Sequence, residues 1–132
     1  MEIKLNLKPL SLNNAYRNNR QGIRFKTKKY QEFKKQFDEQ IKPYLNELKS
    51  LFNAFESGRH GIYTTYDIFC PIMTKDGRIS KTSGDASNFP KLLEDLLFQH
   101  GVDDCNVVSV RSRKHHSKEV YTVIRIELND LH

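Results

Sequence analysis

Asp85-Ala86-Ser87-Asn88-Phe89-Pro90-Lys91-Leu92-Leu93-Glu94-Asp95-Leu96-Leu97 reads as the mouth and first turns of an amphipathic helix. Phe89, Leu92, Leu93, Leu96 and Leu97 recur every three to four residues, the spacing of one buried stripe. Pro90 falls in the first turn, where a missing N–H does no harm. Asp85 or Ser87 can cap the helix, and Gly101 terminates it. Upstream, Ile62-Tyr63-Thr64-Thr65-Tyr66-Asp67-Ile68-Phe69 is aromatic and β-branched, which suits a half-buried strand from Gly61 to Cys70, closed by Pro71. Downstream, Val107–Val110 and Val120–Ile126 look like two antiparallel strands joined through Lys114-His115-His116-Ser117-Lys118. The helix is thus framed by strands.

Towards the N-terminus, Ile3, Leu5 and Leu7 alternate with polar residues, so residues 2 to 8 read as a strand with one buried face. Residues 9 to 24 carry Asn13, Asn14, Asn18, Asn19 and Gly22 with Arg17, Arg20 and Arg24, a mixture that favours an exposed basic loop. Thr27 is the expected N-cap of a second helix with Tyr30, Phe33, Phe37, Ile41 and Leu45 on its buried side, bent or ended by Pro43. Leu48, Leu51, Phe52 and Phe55 predict a further helical turn or two before Ser57-Gly58. The order is strand, helix, strand, helix, strand, strand. This predicts one domain over residues 1–132 of mixed α/β (α+β) class, a small mixed sheet of about four strands packed with two main helices.

The chain carries 22 Lys+Arg against 16 Asp+Glu, a formal charge of +6, which favours phosphate-rich partners because neutralising phosphates releases condensed counterions. No apolar block resembles a signal peptide and no segment is long enough to span a bilayer, so an intracellular, cytoplasmic protein without a membrane role is expected. Cys70 and Cys105 lack metal-ligand spacing and read as reduced, packed thiols. His115 and His116 lack a third ligand at zinc spacing.

Within a basic chain, the acids around the Asp85 helix stand out. Asp85, Asn88 and Lys91 are spaced three apart and lie along one side of the first turns, beside a helix N-terminus whose free N–H groups attract phosphate. If Asp104 returns to the same place, Asp85 and Asp104 supply oxygen ligands for Mg²⁺, which takes few carboxylates and keeps several waters. The ion would polarise a phosphate, and Lys91 would stabilise the charge of the transition state. A purely structural reading stays open: Asp85 as a cap, Lys91 paired with Asp95, and Asp103-Asp104 as a solvated turn.

Gly84-Asp85-Ala86-Ser87-Asn88 with Lys91, Asp95 and Leu96, followed by Gly101-Val102-Asp103-Asp104 and Val107-Val108, resembles the RusA family of Holliday junction resolvases of bacteria and phages. Pro9-Leu10-Ser11-Leu12-Asn13-Asn14-Ala15-Tyr16-Arg17 is similar to that family's opening motif. The resemblance implies a small homodimeric endodeoxyribonuclease, without a nucleotide cofactor, that uses Mg²⁺, with Mn²⁺ as a substitute, to nick opposed strands of four-way junction DNA. It assigns catalysis to Asp85, Lys91 and Asp104, with Asp85 and Asp104 as metal ligands and Asn88 and Asp95 in support. Ser87 is a departure, because the family carries a second aspartate there. A water, the Ser87 hydroxyl or Asp103 would then complete the metal site, or the chain binds branched DNA and cuts poorly. Asn13, Tyr16, Arg17, Arg20, Arg24, Lys81, Arg111, Arg113 and Lys114 are the expected DNA contacts.

Overall fold

In a computed structural model, every residue except Ser11 is described, with the backbone alone for Leu12 and Asn13. The Ser11 part of the opening motif and the side chain of Asn13 therefore lie outside the described residues. Strand β1 (Glu2–Leu5) buries Ile3 and Leu5 on one face, as its alternation predicts. The central strand β4 (His60–Cys70) buries Ile62, Thr64, Tyr66, Ile68 and Cys70 on that same side. With β5 (Val107–His116) and β6 (Tyr121–Asp130) they form a four-stranded mixed sheet in the order β1-β6-β4-β5.

The last two strands, read as antiparallel and joined in sequence, do run antiparallel but do not pair with each other. β5 runs parallel to β4, whereas β6 is antiparallel to β4 and to β1, so β4 lies between the two strands that the sequence pattern joined as neighbours. The strand directions are those expected, but β4 supplies enough apolar surface on its core side to take the centre, with a partner along each edge. β5 also continues to His116, so Lys114, His115 and His116 belong to the strand and the connection begins at Ser117.

The loop predicted over residues 9 to 24 contains a short helix, α1 (Leu12–Ala15), and a two-stranded hairpin of β2 (Tyr16–Asn18) with β3 (Arg24–Lys26). Three-residue strands with exposed side chains carry little periodicity, which is why sequence patterning misses them. Thr27 caps α2 (Lys28–Ile41) by accepting a hydrogen bond from the Tyr30 backbone N–H at 3.3 Å, and Tyr30, Phe33, Phe37 and Ile41 are buried as expected. Pro43 ends α2 in a 3₁₀ turn (Lys42–Tyr44), and α3 (Leu45–Ala54) continues with Leu48 and Phe52 buried. α4 (Pro90–Phe98) crosses from β4 to β5 on the core side of the sheet.

Neither Asp85 nor Ser87 caps α4. Ala86–Asn88 forms a separate 3₁₀ turn, Asp85 precedes it without a capping hydrogen bond, and Phe89 occupies the N-cap position of α4. Cys70 is a buried free thiol, whereas Cys105 is exposed, so only the first is packed. Among the described residues no helix is long and apolar enough to cross a membrane.

Candidate active site

Seven of the nine residues of α4 are buried, and the two that are exposed are Lys91 and Asp95. They are four apart and share one side of the helix. The leucines fix this orientation: Leu92, Leu93, Leu96 and Leu97 face the core at 0–2 % exposure, so the remaining stripe must carry its polar groups outward. The chain then returns through a 3₁₀ turn, Asp104–Asn106, that precedes β5 and brings Asp104 to the same stripe. Asp104 Oδ2 lies 4.0 Å from Lys91 Nζ, both partly open to solvent. Asp95 has its carboxyl pushed up, first by partial burial and then by the Asp104 carboxylate beside it, against the pull of Lys91. Residues distant along the chain are therefore united through α4 and the turn before β5.

Glu94 lies beneath this surface cluster. Its carboxylate accepts a 3.0 Å hydrogen bond from Thr64 Oγ1 in the sheet. Burial raises its pKa, with Asp104 adding to the rise and Thr64 and Lys91 opposing it. The Tyr66 hydroxyl is buried nearby with no hydrogen-bond partner among the described residues, and its pKa is held well up by burial and then by Glu94. Sequence reasoning missed this layer; the signal was a carboxylate on the leucine-bearing side of α4, next to the exposed Asp95.

Asp85 is exposed and accepts a 3.4 Å hydrogen bond from Asn88 Nδ2. Ser87 is exposed in the intervening turn. The Asp85 loop is anchored from the sheet: Lys114 Nζ donates to the Gly84 carbonyl at 2.7 Å and to Ser83 Oγ at 3.0 Å. Lys114, expected among the DNA contacts, is thus engaged in holding the loop. Asp103 is likewise occupied, since its Oδ1 accepts from the Cys105 backbone N–H at 2.9 Å and caps the turn. A cleft of about 260 Å³ beside the loop is lined by Lys8, Pro9, Asn14, Thr82, Gly84 and Phe89, which brings the N-terminal motif against the Asp85 segment.

Asp85 and Asp104 were the expected ligands; on α4 the contacts of Asp104 are with Lys91 and Asp95, and the donor chemistry of Asp95 and Asp104 suits a hard cation such as Mg²⁺, which commonly takes one or two carboxylates. Among the described residues no three His, Cys, Asp or Glu side chains gather closely enough to hold a metal. An ion at this place would rest on the carboxylate pair and on water. Arg17, Arg20 and Arg24 stand exposed on the β2–β3 hairpin, with the Arg24 guanidinium 4.0 Å over the Tyr16 ring. Lys81 is exposed in the loop before Asp85, and Arg111 on β5. Arg113 is bound to Asp67 through Nε and Nη2 at 2.8 and 3.0 Å.

No curated protein matches the chain. A family profile described as Endodeoxyribonuclease RusA matches residues 6–127 of the 132, a span that takes in the N-terminal motif, the Asp85 loop, α4 and the Asp104 turn. The chain therefore belongs to the RusA family of Holliday-junction-resolving endodeoxyribonucleases.

Proposed function

We propose that this protein is a Mg²⁺-dependent endonuclease that resolves four-way DNA junctions as a homodimer. The observation that supports it best is the Lys91–Asp95–Asp104 cluster on the one exposed stripe of an otherwise enclosed helix. Two neighbouring carboxylates repel each other unless a proton or a cation sits with them, and a bound divalent ion relieves that cost. When bound, Mg²⁺ supplies polarisation of the phosphate and a more acidic water. Asp95 and Asp104 would hold it. Lys91, exposed and free to turn from Asp104 to a non-bridging phosphate oxygen, would offset the charge that develops as the phosphodiester is attacked. Asp85 and Asn88 stand at the approach to α4, where the Asp85 carboxylate would accept hydrogen bonds from the ion's water, a role that needs its charge, and the Asn88 amide would donate to an oxygen of the scissile phosphate. A two-fold dimer would present one such site to each of two opposed strands.

A second reading has its own support. Ser87 stands where the family pattern carries an aspartate, and no three-carboxylate group forms among the described residues. The chain would then bind branched DNA and cut slowly. Nicking of a synthetic junction with Mg²⁺ or with EDTA, using wild type, Asp85→Asn and Ser87→Asp, separates the two. The nuclease reading expects wild-type nicking only with Mg²⁺ and its loss in Asp85→Asn with junction binding retained. Slow wild-type cutting rescued about tenfold or more by Ser87→Asp would favour the second reading.

A further inference from the structure

Helices cover one face of the main sheet. The opposite face carries Thr65, Asp67 and Phe69 of β4 in register with Arg111, Arg113 and His115 of β5, and with Arg125, Val123 and Tyr121 of β6. Its residues are half-buried to exposed, except Asp67, which is 5 % exposed because cations close over it. Arg113 grips Asp67 with two hydrogen bonds, His115 Nε2 lies 2.7 Å from its Oδ1, and Arg125 Nη1 lies 3.6 Å from its Oδ2. Burial opposes ionisation of Asp67, but Arg113 and His115 outweigh it and keep the carboxyl below its ordinary range. One row along the strands, Phe69 stacks between His115 and Tyr121 with ring centroids 4.6 and 4.5 Å apart, and Lys4 Nζ sits 4.5 Å from the Tyr121 centroid.

This is an organised cationic surface. Across the Thr65 and Asp67 rows, Lys4, Arg111, Arg113 and Arg125 face only Glu2 and the buried, already engaged Asp67. Asp67 fixes Arg113 through one side of its guanidinium and leaves the remaining N–H groups for an outside acceptor. The stacked rings hold the Lys4 ammonium over the same face. A second copy of the chain, packed on this face about a two-fold axis, would set arginines against arginines. A polyanion meets no such repulsion.

Strand β5 connects this face to the candidate active site. Lys114 reaches the Asp85 loop on the helix side, while its neighbours Arg113 and His115 belong to the open side. The two surfaces look in opposite directions around one sheet edge, so a single straight duplex cannot lie on both. We infer that the uncovered sheet face, centred on Asp67 with Lys4, Arg111, Arg113 and Arg125, binds the phosphodiester backbone of a second DNA arm while the first arm occupies the α4 site. This rests on the reading that the chain handles branched DNA, and it would give preference for a branch a physical origin in two diverging contact surfaces.

The test is a double variant, Lys4→Gln with Arg125→Gln, which leaves the Arg113–Asp67 pair and the whole α4 cluster intact. Lys49→Gln on exposed α3 is the control. Binding to an immobile four-way junction and to a linear duplex is titrated in EDTA at several salt concentrations, with sedimentation run in parallel. Junction affinity should fall about tenfold and its salt slope by about two, with linear duplex affinity within about twofold and oligomeric state unchanged. Unaltered junction binding, an equal loss on both DNAs, or a change of oligomeric state would each overturn the assignment. Because binding in EDTA needs no cleavage, failure of this surface and failure of the nuclease reading appear in different measurements.

Discussion

Glu94 bears a carboxyl that burial holds above its ordinary pKa, directly under the Lys91–Asp104 pair. A carboxyl whose folded pKa exceeds its unfolded value near 4.3 stabilises the fold most below that value. The contribution is lost as pH rises through the folded pKa, and once ionised Glu94 leaves a buried charge that costs stability. Glu94→Gln keeps an acceptor for Thr64 without the charge. Its melting temperature should exceed wild type by a few degrees at pH 7, with the gap closing towards pH 4. Equal melting curves at both pH values would show that Glu94 is solvated in the folded protein. Residue by residue, the Lys91–Asp95–Asp104 cluster was legible because charged groups at helical spacing, and an acidic pair after a helix stop, break the expected pattern, whereas the contact described for the Asp85 side chain is with Asn88. Glu94 and Asp67 were not legible, since neither the acid beside Asp95 nor the one inside the β4 run shows its burial or its partner until the strands are paired.

At the scale of elements, the path from β4 to α4 depends on Gly84. Its φ is +87°, and a Cβ there would meet the Phe89 ring at 2.5 Å. Glycine alone allows the chain to turn left-handed, cover Phe89 and present Asp85 at the cleft. Gly84→Ala should destabilise the protein by about 1–3 kcal/mol and slow nicking, read by thermal unfolding and junction cleavage. A variant as stable and active as wild type would remove this turn from the account. Strong periodicity made β1, α2, β4 and α4 readable. The β2–β3 hairpin was hidden because it pairs too few residues to impose a pattern. The pairing of β5 failed for another reason: local alternation sets which face a strand buries, while its neighbour is decided by the α4 crossover, which lays β5 parallel to β4.

Over the whole molecule, a helix-covered side carries a carboxylate and lysine cluster, and an open side carries arginines fixed by a buried aspartate. β5 belongs to both. Under the proposed function Asp104, brought to α4 by the turn before β5, serves cutting and not folding. Nicking of a four-way junction by wild type and Asp104→Asn, with Mg²⁺ or EDTA, tests it most directly when circular dichroism and junction binding are recorded on the same samples. Expected are paired nicks by wild type in Mg²⁺ alone, and a loss of at least about a hundredfold in Asp104→Asn, with fold and junction affinity preserved. Nicking by Asp104→Asn at the wild-type rate would contradict it.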